Sequence, residues 1–525
     1  MEINDVLDDE SGGIVHLDSP CIDIVMHFNW LELNVQFRRI SVGQLKDRSR
    51  NVGTTRRIVE SLRDQIATGV YAPGDRLPST RALAVDLGVS RTTVTAAFDQ
   101  LISEGYVVSR QGSASVVAEI GPMRHRQPDE KSGPAIPRLS SYAQRLSQLP
   151  EGASPVHSGL AFNFRYGDLS AADFPTLLWR RALTEALLKT KGRLAYGVPA
   201  GNPVLRKELQ GYLWRARGIR CESEQIAVVS GSQQGLDLCA RVLVDTGDRV
   251  VMEEPGYVMA RHVFVAAGAS VIPVPCDDGG LDAAAVEGVR DAVLAYVTPS
   301  HQYPLGGVLS VGRREALLRW ADETGAYILE DDYDGEYRYD VKPIPPLYQS
   351  RSGRVIYLGT ISKTLSPTLR LGYLVLPENL VQVFSKCKQA VDRHSPAHDQ
   401  EAFASLLESG AYERHVRKMR RVNAERRAAL IEALRKTFDN IEVVGSSAGL
   451  HLVVWFNGLK PENEVDLAAE ALKLGVGIYP VDPLYAGQRP RRAGFVFGYA
   501  TMTPAEIRSG IELLRRVFGN RDAFI

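Results

Sequence analysis

From about residue 159 to the end of the chain, short apolar segments alternate with longer stretches of helical periodicity. The clearest apolar segments are QIAVVSG, DRVVMEEPGY, AVLAYVTPS, GAYILEDD and RVIYLGTIS. Strands that alternate with helices in this way are typical of an α/β domain with a mainly parallel sheet. We find no internal repeat of solenoid length. The pattern therefore predicts one large α/β domain after residue 159.

The composition is that of an ordinary globular protein. A length of 525 residues predicts about three to four domain-sized units, and 44% hydrophobic with 24% charged residues excludes a collagen-like, disordered or coiled-coil chain. Lys+Arg and Asp+Glu both total 62, so any nucleic-acid site must be a local patch. The five scattered cysteines have no metal-ligand spacing, so we expect a reducing cytoplasm and no metal.

Composition shifts divide the chain into four parts. Residues 1–50 form an acidic leader, expected to be flexible apart from one possible strand, FNWLELNVQF. Residues 51–118 have compact helical patterning. Residues 119–158 are rich in Pro, Gly, Ser and charge, which predicts a linker, and residues 159–525 form the large domain.

The segment 51–118 has the element order of a winged helix-turn-helix domain. Ser79 and Ser90 are placed to cap a second and a third helix, the latter from Arg91 to about Glu104. Two valine-rich segments, YVVSR and SVVAE, then flank Gln111–Gly112 as a hairpin. The core positions are Ile58, Leu62 and Ile66 in the first helix, Leu83, Ala84 and Leu87 in the second, and Val94, Ala97, Phe98 and Leu101 in the third.

The third helix is the predicted recognition helix, since its N-terminal turn enters the major groove in this motif. Arginine there can reach guanine edges, and threonine can reach a phosphate or a thymine methyl group. Acidic and basic residues nearly balance, so charge leaves open a small packing domain with solvated arginines; the element order favours DNA binding. The candidate contacts are Arg76, Ser79, Thr80, Arg81, Ser90, Arg91, Thr92, Thr93 and Thr95.

Five polar motifs follow five predicted strands of the large domain, where open α/β sheets bind ligands. They are Ser230–Gln234, Glu254–Tyr257, Thr298–Pro304, Asp331–Tyr333 and Thr360–Lys363. Each motif alone has an ordinary structural explanation, such as a capped helix start, a packed tyrosine or a loop lysine. Because all five motifs follow strands of one predicted sheet, in an order that makes chemical sense together, they indicate a single ligand site.

The chemistry of these motifs matches pyridoxal phosphate. Backbone N–H groups at a helix N-terminus bind phosphate, and an arginine such as Arg370 can hold it bidentately. Asp331 can pair with a protonated pyridine nitrogen, and Lys363 can form a Schiff base with an aldehyde. Tyr257 can cover a flat ring, and Tyr333 can bond a phenolic oxygen.

These motifs carry a resemblance to known families. PGDRLPSTRALAVDLGVSRTTVTAAFDQLISEGYV resembles the GntR family of winged-helix regulators. TPSHQYPLG, EDDYDGEYRYD and GTISKTLSPTLRLGYLVLP resemble fold-type-I aminotransferases, and the whole resembles the MocR/GabR family of transcriptional regulators over residues 54–118 and 159–518. The resemblance implies a pyridoxal-5'-phosphate-dependent transferase domain with a smaller C-terminal α+β subdomain, in a head-to-tail homodimer that binds repeated DNA half-sites.

The resemblance also implies roles for single residues. Lys363 would carry the internal aldimine, Asp331 would pair with the pyridine nitrogen, Tyr333 would bond the ring hydroxyl and Tyr257 would stack on the ring. The implied phosphate ligands are Ser232, Gln233, Thr360 and Arg370, together with Tyr196 from the partner subunit.

One departure concerns the effector. Aminotransferases hold the substrate carboxylate with an arginine where this chain has Val496, and the GABA-responsive member has another arginine where this chain has Met259. This argues against GABA. The candidate effector contacts are His301, Arg489, Arg491 and Arg492, although a structural histidine and a solvated basic loop are equally good explanations.

Three functions remain open at this point. The first is a transcription factor of the bacterial cytoplasm and nucleoid that senses an amino compound, or pyridoxal phosphate itself, through Lys363. The second is a working aminotransferase with an accessory DNA-binding domain, and the third is a DNA-binding protein whose large domain only dimerises. The complete lysine and aspartate pair argues against the third function, and the missing carboxylate arginine weakens the second. These residues therefore favour the first, a regulator that is not primarily an enzyme.

Overall fold

The computed structural model divides the chain into two compact units, Met1–Ile136 and Pro137–Ile525. It describes residues 53–109, 114–119, 138–150, 159–189, 195–339, 345–350, 353–487 and 489–519. The acidic leader with its possible strand, the Gln111–Gly112 turn and most of the predicted linker lie outside the described residues.

The described residues of the first unit form three helices and a two-stranded ladder. These are α1 Thr54–Ala67, α2 Thr80–Leu87, α3 Arg91–Ser103, β1 Val107–Val108 and β2 Val116–Val117. Both predicted caps are present, since Ser79 Oγ accepts from the N–H of Ala82 at 3.1 Å and Ser90 Oγ accepts from that of Thr93 at 3.1 Å. β1 and β2 pair antiparallel. The predicted winged helix-turn-helix order is therefore confirmed.

Eight of the ten predicted apolar positions are buried in the core of this unit, and the other two, Ile66 and Leu87, are half-buried and pack against it. Leu62, Val94 and Leu101 are completely buried, and Phe98 packs with them. Gly88 turns the chain between α2 and α3 with a φ of 64°, a left-handed conformation that glycine adopts without a steric penalty. The core thus fixes α3 with its first turn exposed.

The described part of the large unit contains an eight-stranded sheet, a four-stranded sheet and the two-stranded pair of Phe162–Asn163 with Val476–Gly477, with their covering helices. Its strands are β3 Phe162–Asn163, β4 Ile226–Val229, β5 Arg249–Glu254, β6 Ser270–Asp277, β7 Gly280–Leu281, β8 Ala292–Val297, β9 Tyr327–Asp332, β10 Val355–Thr360, β11 Gly372–Val375, β12 Ile441–Val444, β13 His451–Phe456, β14 Val476–Gly477, β15 Tyr479–Pro480 and β16 Ala493–Gly498. Its helices are α4 Ser141–Ser147, α5 Thr176–Lys189, α6 Pro203–Arg217, α7 Ser232–Leu243, α8 Val258–Ala267, α9 Ala283–Glu287, α10 Val311–Thr324, α11 Leu347–Ser350, α12 Val381–Asp392, α13 Ala397–Glu408, α14 Ala411–Thr437, α15 Asn463–Lys473 and α16 Pro504–Phe518.

The main sheet has the order β4-β11-β10-β9-β8-β5-β6-β7. β10, β9, β8, β5 and β6 are parallel, and β11 runs antiparallel between β10 and β4. Successive side chains of one strand enter different cores, as Ile328 and Leu329 do, because both faces of the sheet are covered. The predicted mainly parallel sheet is confirmed.

A smaller antiparallel sheet, β12-β13-β16-β15, lies near the C-terminus. Its core includes Leu452, Val454 and Phe497 from the strands and Leu434 and Ile511 from α14 and α16. This is the expected α+β subdomain. Among the helices described, none is long and apolar enough to cross a membrane.

Part of the predicted linker is helical, which the sequence pattern did not predict. Residues 141–147 form α4, capped by Ser140 Oγ, which accepts from the N–H of Ala143 at 3.2 Å. The helix lies on α8, where Arg145 Nε donates to the carbonyl of Ala266 at 3.0 Å. It buries no side chain fully, so its two turns leave no apolar periodicity for a sequence pattern to show.

The arrangement of the main sheet brings the five motifs together. β4, β5, β8, β9 and β10 point the same way, so their carboxyl ends lie along one edge. Ligands of open α/β sheets bind at this edge.

Candidate functional site

Lys363 follows β10 at this edge. Its Nζ lies 3.3 Å from the carbonyl oxygen of Gly167 and 4.8 Å from the centroid of the Tyr166 ring. Burial lowers the pKa of Lys363 to about 8, because the charged ammonium loses water. The amine is therefore close to releasing its proton at neutral pH, as a nucleophilic lysine requires.

Asp331 lies near the end of the neighbouring strand, β9. Its Oδ2 accepts from the hydroxyl of Tyr296 at 2.8 Å, whereas its buried Oδ1 has no hydrogen-bond partner among the described residues. Burial raises the pKa of Asp331 to about 7. The next residue, Asp332, points to the other face, where it pairs with Arg217. A buried acceptor without a donor is costly, so Asp331 Oδ1 requires a donor such as a pyridinium N–H.

Tyr333 and His301 lie beside these groups. The hydroxyl of Tyr333 donates to the carbonyl oxygen of His301 at 2.9 Å, and Nδ1 of His301 is 2.9 Å from Oδ2 of Asp334. His301 is thus at the pocket, as expected. Ligating atoms of His301, Asp334 and His451 lie within 4.8 Å of one another, although the imidazole of His301 is already hydrogen-bonded to Asp334.

Aromatic rings line the pocket. The Tyr303 ring centroid is 5.9 Å from that of Tyr257 and 5.3 Å from that of Tyr166. Burial raises the pKa of Tyr257 to about 12, so its phenol stays neutral at physiological pH. The predicted stacking residue therefore belongs to a cluster of neutral aromatic side chains that can cover a flat ring.

The start of α7 forms a cradle for an anion. Gly231 precedes the helix with a φ of 80°, and a Cβ there would lie 2.7 Å from Nη2 of Arg370. Arg370 also donates to the carbonyl of Ser230 at 3.2 Å. Ser232 and Gln233 occupy the first turn of α7, and Thr360 ends β10 nearby in the sheet. Exposed helix N–H groups and a guanidinium fit a phosphate.

A buried network behind this cradle was not predicted from the sequence. Gln234 Oε1 accepts from the N–H of Ser230 at 2.8 Å, and Nζ of Lys388 contacts Oδ2 of Asp392 at 2.8 Å and Oγ of Ser395 at 3.1 Å. Lys388 is 1% exposed. Only its spacing of four residues from Asp392 on an amphipathic helix could have indicated a paired lysine.

Tyr196 is on the surface of the large unit. It is 75% exposed, and the guanidinium of Arg393 lies 4.1 Å from its ring centroid. No described hydrogen bond connects Tyr196 with Lys363 or Asp331 of its own chain.

The basic loop candidates lie elsewhere. Arg489 pairs with Asp482 at 3.5 Å, Arg491 is exposed, and Arg492 pairs with Glu442. None of these described contacts joins the three arginines to the Lys363 pocket. Val496 is buried in β16, so the predicted clamp position carries an apolar side chain.

The candidate DNA-binding side chains lie on one exposed stretch of the first unit. Arg91 begins α3, and Arg76 and Arg81 flank the start of α2; all three are exposed. Within the described residues these guanidiniums form no ion pair, so they are available for phosphates and bases. The remaining candidates are exposed or half-buried: Ser79, Thr80, Ser90, Thr92, Thr93 and Thr95.

Comparisons with known proteins agree with this architecture. Residues 163–514 match the family model "Aminotransferase class I and II", and residues 54–117 match "Bacterial regulatory proteins, gntR family". The chain is 35% identical to the probable rhizopine catabolism regulatory protein MocR of Rhizobium meliloti, over 90% of this chain and 95% of that protein. It is 33% identical to the pyridoxine biosynthesis transcriptional regulator PdxR of Corynebacterium glutamicum, over 85% of this chain and 91% of that protein. Among solved structures, the chain is similar to the α-aminoadipate aminotransferase of Thermus thermophilus. The match covers 74% of this chain and 96% of that chain, with 28% sequence identity and a TM-score of 0.63.

Fold and site together define a pyridoxal-5'-phosphate-binding, aminotransferase-like domain joined to a DNA-binding winged helix. The paired Lys363 and Asp331, with the cradle at α7, fit this cofactor. The chain belongs to the MocR family of transcriptional regulators, in which a GntR-type helix-turn-helix domain is fused to an aminotransferase-like domain.

Asp331 should give the cofactor-free protein a characteristic pH dependence. Its folded pKa, about 7, lies above the unfolded value, about 4, so the folded state keeps a proton that the unfolded state has released. This stabilisation is present at low pH and is lost as pH rises towards 7. Relative to Asp331→Asn, the unfolding free energy of the wild type should fall by up to about 1.4 kcal/mol per pH unit in this window.

The measurement is urea unfolding of both apoproteins between pH 4 and 8. Asp277→Asn is the control, because Arg313 lowers the pKa of this exposed carboxyl group, so its own pH dependence lies below about pH 4 and this variant should keep the wild-type slope between pH 4 and 8. Equal slopes for the wild type and Asp331→Asn would contradict the prediction.

Proposed function

We propose that this protein is a transcriptional regulator that senses an amino compound at Lys363 and transmits the event to its DNA-binding domain. The observation that carries the proposal is the pairing, in one pocket, of a lysine with a lowered pKa and a buried aspartate oxygen that lacks a donor among the described residues. Residues 51–118 would read DNA, and residues 159–525 would bind the cofactor, the effector and a second subunit.

The roles within the pocket follow from the contacts described above. Lys363 would hold the aldehyde end of the cofactor, Asp331 Oδ1 would accept from its ring nitrogen, and Tyr333 would bond its ring hydroxyl. Tyr257 would cover the ring. The phosphate would be held by Ser232, Gln233, Thr360 and Arg370.

A homodimer would complete the site. The exposed ring of Tyr196, which lacks a described hydrogen bond to its own pocket, suits a role as phosphate ligand in the second subunit. Two-fold dimers match repeated DNA half-sites, so the same assembly would place two winged helices on one operator. The protein would act in the bacterial cytoplasm and at the nucleoid when bound to DNA.

When bound, pyridoxal phosphate would supply an aldehyde carbon that bonds one amine at a time, so an amine effector would compete with Lys363 Nζ for it. A lysine amine that is not bonded to the cofactor would donate to the carbonyl of Gly167 and lie on the ring of Tyr166. A change in the bonding of one buried lysine would shift the population between two arrangements of the protein.

A working aminotransferase is the second candidate, because the site retains Lys363, Asp331 and Arg370. Val496 weakens it, since no arginine stands where aminotransferases clamp a carboxylate. Regulation is favoured because MocR and PdxR, which this chain matches over nearly their whole length, are transcriptional regulators.

The test is a titration of the cofactor-loaded protein with amines, followed by visible absorbance and by binding to an operator selected from random DNA. We expect one amine to shift the band and, at the same concentration, to change the Kd for the operator. A band that disappears and returns only with a keto acid would indicate turnover and favour the aminotransferase. A band shift without any effect on DNA binding would contradict the proposal.

A further inference from the structure

The effector pocket has a wall formed by β13, β16 and the loop after β8. His451 begins β13, and its ring centroid lies 4.4 Å from that of Tyr166 and 5.4 Å from that of Tyr303. Tyr166 is also the ring that contacts Nζ of Lys363 at 4.8 Å. An amine bound at Lys363 would therefore extend its second functional group towards this wall.

At the position of Val496 the wall offers nothing that could bind a carboxylate. Val496 is 3% exposed and packs in an apolar cluster that includes Val258 and Val453. Nearby, Arg165 pairs with Asp168 at 3.1 Å. Arg338 donates to the carbonyl of Ser300, although its Nε and Nη1 have no partner among the described residues, which makes Arg338 the competing anion ligand.

His301 cannot replace the missing arginine. Its Nδ1 lies 2.9 Å from Asp334 Oδ2 and its Nε2 lies 3.4 Å from the carbonyl of Gly445, so both ring nitrogens face acceptors of the protein. Asp334 also brings a carboxyl group to this wall, and an ionised carboxylate would repel a second anion in a poorly solvated pocket.

His451 presents the opposite chemistry, that of a fixed acceptor. Its Nε2 is 3.0 Å from the carbonyl of Pro304, which can only accept, so Nε2 carries the proton. Burial lowers the pKa of His451 to about 3, so the ring is neutral and Nδ1 keeps its lone pair. This nitrogen is completely buried and has no partner among the described residues. A buried acceptor of this kind is stabilised by a donor from outside the protein chain, which a bound water or a ligand can supply.

We propose that the effector is an amine whose second polar group is an uncharged hydrogen-bond donor, such as a hydroxyl group, and that His451 Nδ1 accepts from it. The inference rests on the proposed function, in which the amino group of the effector reaches Lys363. It makes His451 a specificity-determining residue, which would let the protein bind an amino alcohol in preference to an amino acid of the same length.

The test compares matched pairs on the full-length, cofactor-loaded protein by visible absorbance. The pairs are 3-aminopropan-1-ol with 3-aminopropanoate, and 4-aminobutan-1-ol with 4-aminobutanoate. We expect each amino alcohol to shift the band at a concentration lower by about tenfold than its amino acid, since it satisfies His451 and avoids a buried anion. A preference for the amino acids would overturn the inference. If Arg338→Met then abolished that preference, Arg338 would be identified as the ligand of their carboxylate.

Variants test His451 by the ratio of the two affinities, which a merely structural defect would leave unchanged. His451→Leu should lower the preference for the amino alcohol about tenfold, whereas His451→Gln, which keeps an acceptor, should retain most of it. Val496→Arg should turn the preference towards the amino acid. A ratio unaffected by all three variants would overturn the assignment.

Failure of this inference can be distinguished from failure of the proposed function. If the amino alcohols give no response but an amino acid does, the inference fails and the sensing of amines stands. If the band is present and no amine shifts it, both fail.

Discussion

Replacing Lys363 with alanine is expected to abolish the visible absorbance band of the cofactor-loaded protein and its response to every amine, while both units remain folded. Lys363 is the lysine whose amine lies at the edge of the main sheet beside Asp331, and its amine forms only one hydrogen bond with the described residues, to Gly167. Its loss therefore removes one hydrogen bond and the contact with the Tyr166 ring, which is small beside the free energy that holds a domain folded. The measurements are the absorbance spectrum and the circular dichroism of the purified variant.

Lys386→Ala is the matched control, because Lys386 is an exposed lysine of α12 and its removal should leave the spectrum unchanged. If Lys363→Ala kept the visible band at full strength, the assignment of the cofactor-bearing lysine would be wrong.

Arg91→Ala is expected to weaken operator binding by about 1–3 kcal/mol, or roughly 5- to 150-fold in Kd, and to relax base preference at one position. Arg91 is exposed at the first position of α3, the predicted recognition helix, where a guanidinium can reach a guanine edge. Binding is measured at one fixed salt concentration against the selected operator and against single-base variants of it.

Arg76→Ala provides the comparison, because an exposed arginine ahead of α2 is expected to contact phosphate alone. It should weaken binding to all sequences alike and reduce the salt dependence of the affinity. Should Arg91→Ala behave in the same way as Arg76→Ala, the base-reading role of Arg91 would be contradicted.

Local sequence patterns predicted the elements whose formation depends on neighbouring residues. The serine caps at 79 and 90, the periodic apolar faces of three helices and the motifs after five strands all lie within short windows of the chain. The structure places them as expected, since cap chemistry, helix period and strand direction are local properties.

The missed features depend on residues that are distant in the chain. Asp331 meets Tyr296, and His451 meets Pro304, only because β8, β9 and β13 bring these residues to the same pocket. Likewise α4 is identified by its contact with Ala266, not by its own short sequence. No local pattern predicts which buried polar atom will remain without a partner, because that depends on the completed packing.

The loop between Thr360 and Gly372 joins two strands that lie side by side, with these residues paired in the ladder. It carries both Lys363 and Arg370, so under the proposed assignment the cofactor fastens this loop at two points. Loss of the Lys363 attachment would leave Arg370 as the one remaining attachment, so it would increase the conformational freedom of a segment whose ends are held in the sheet.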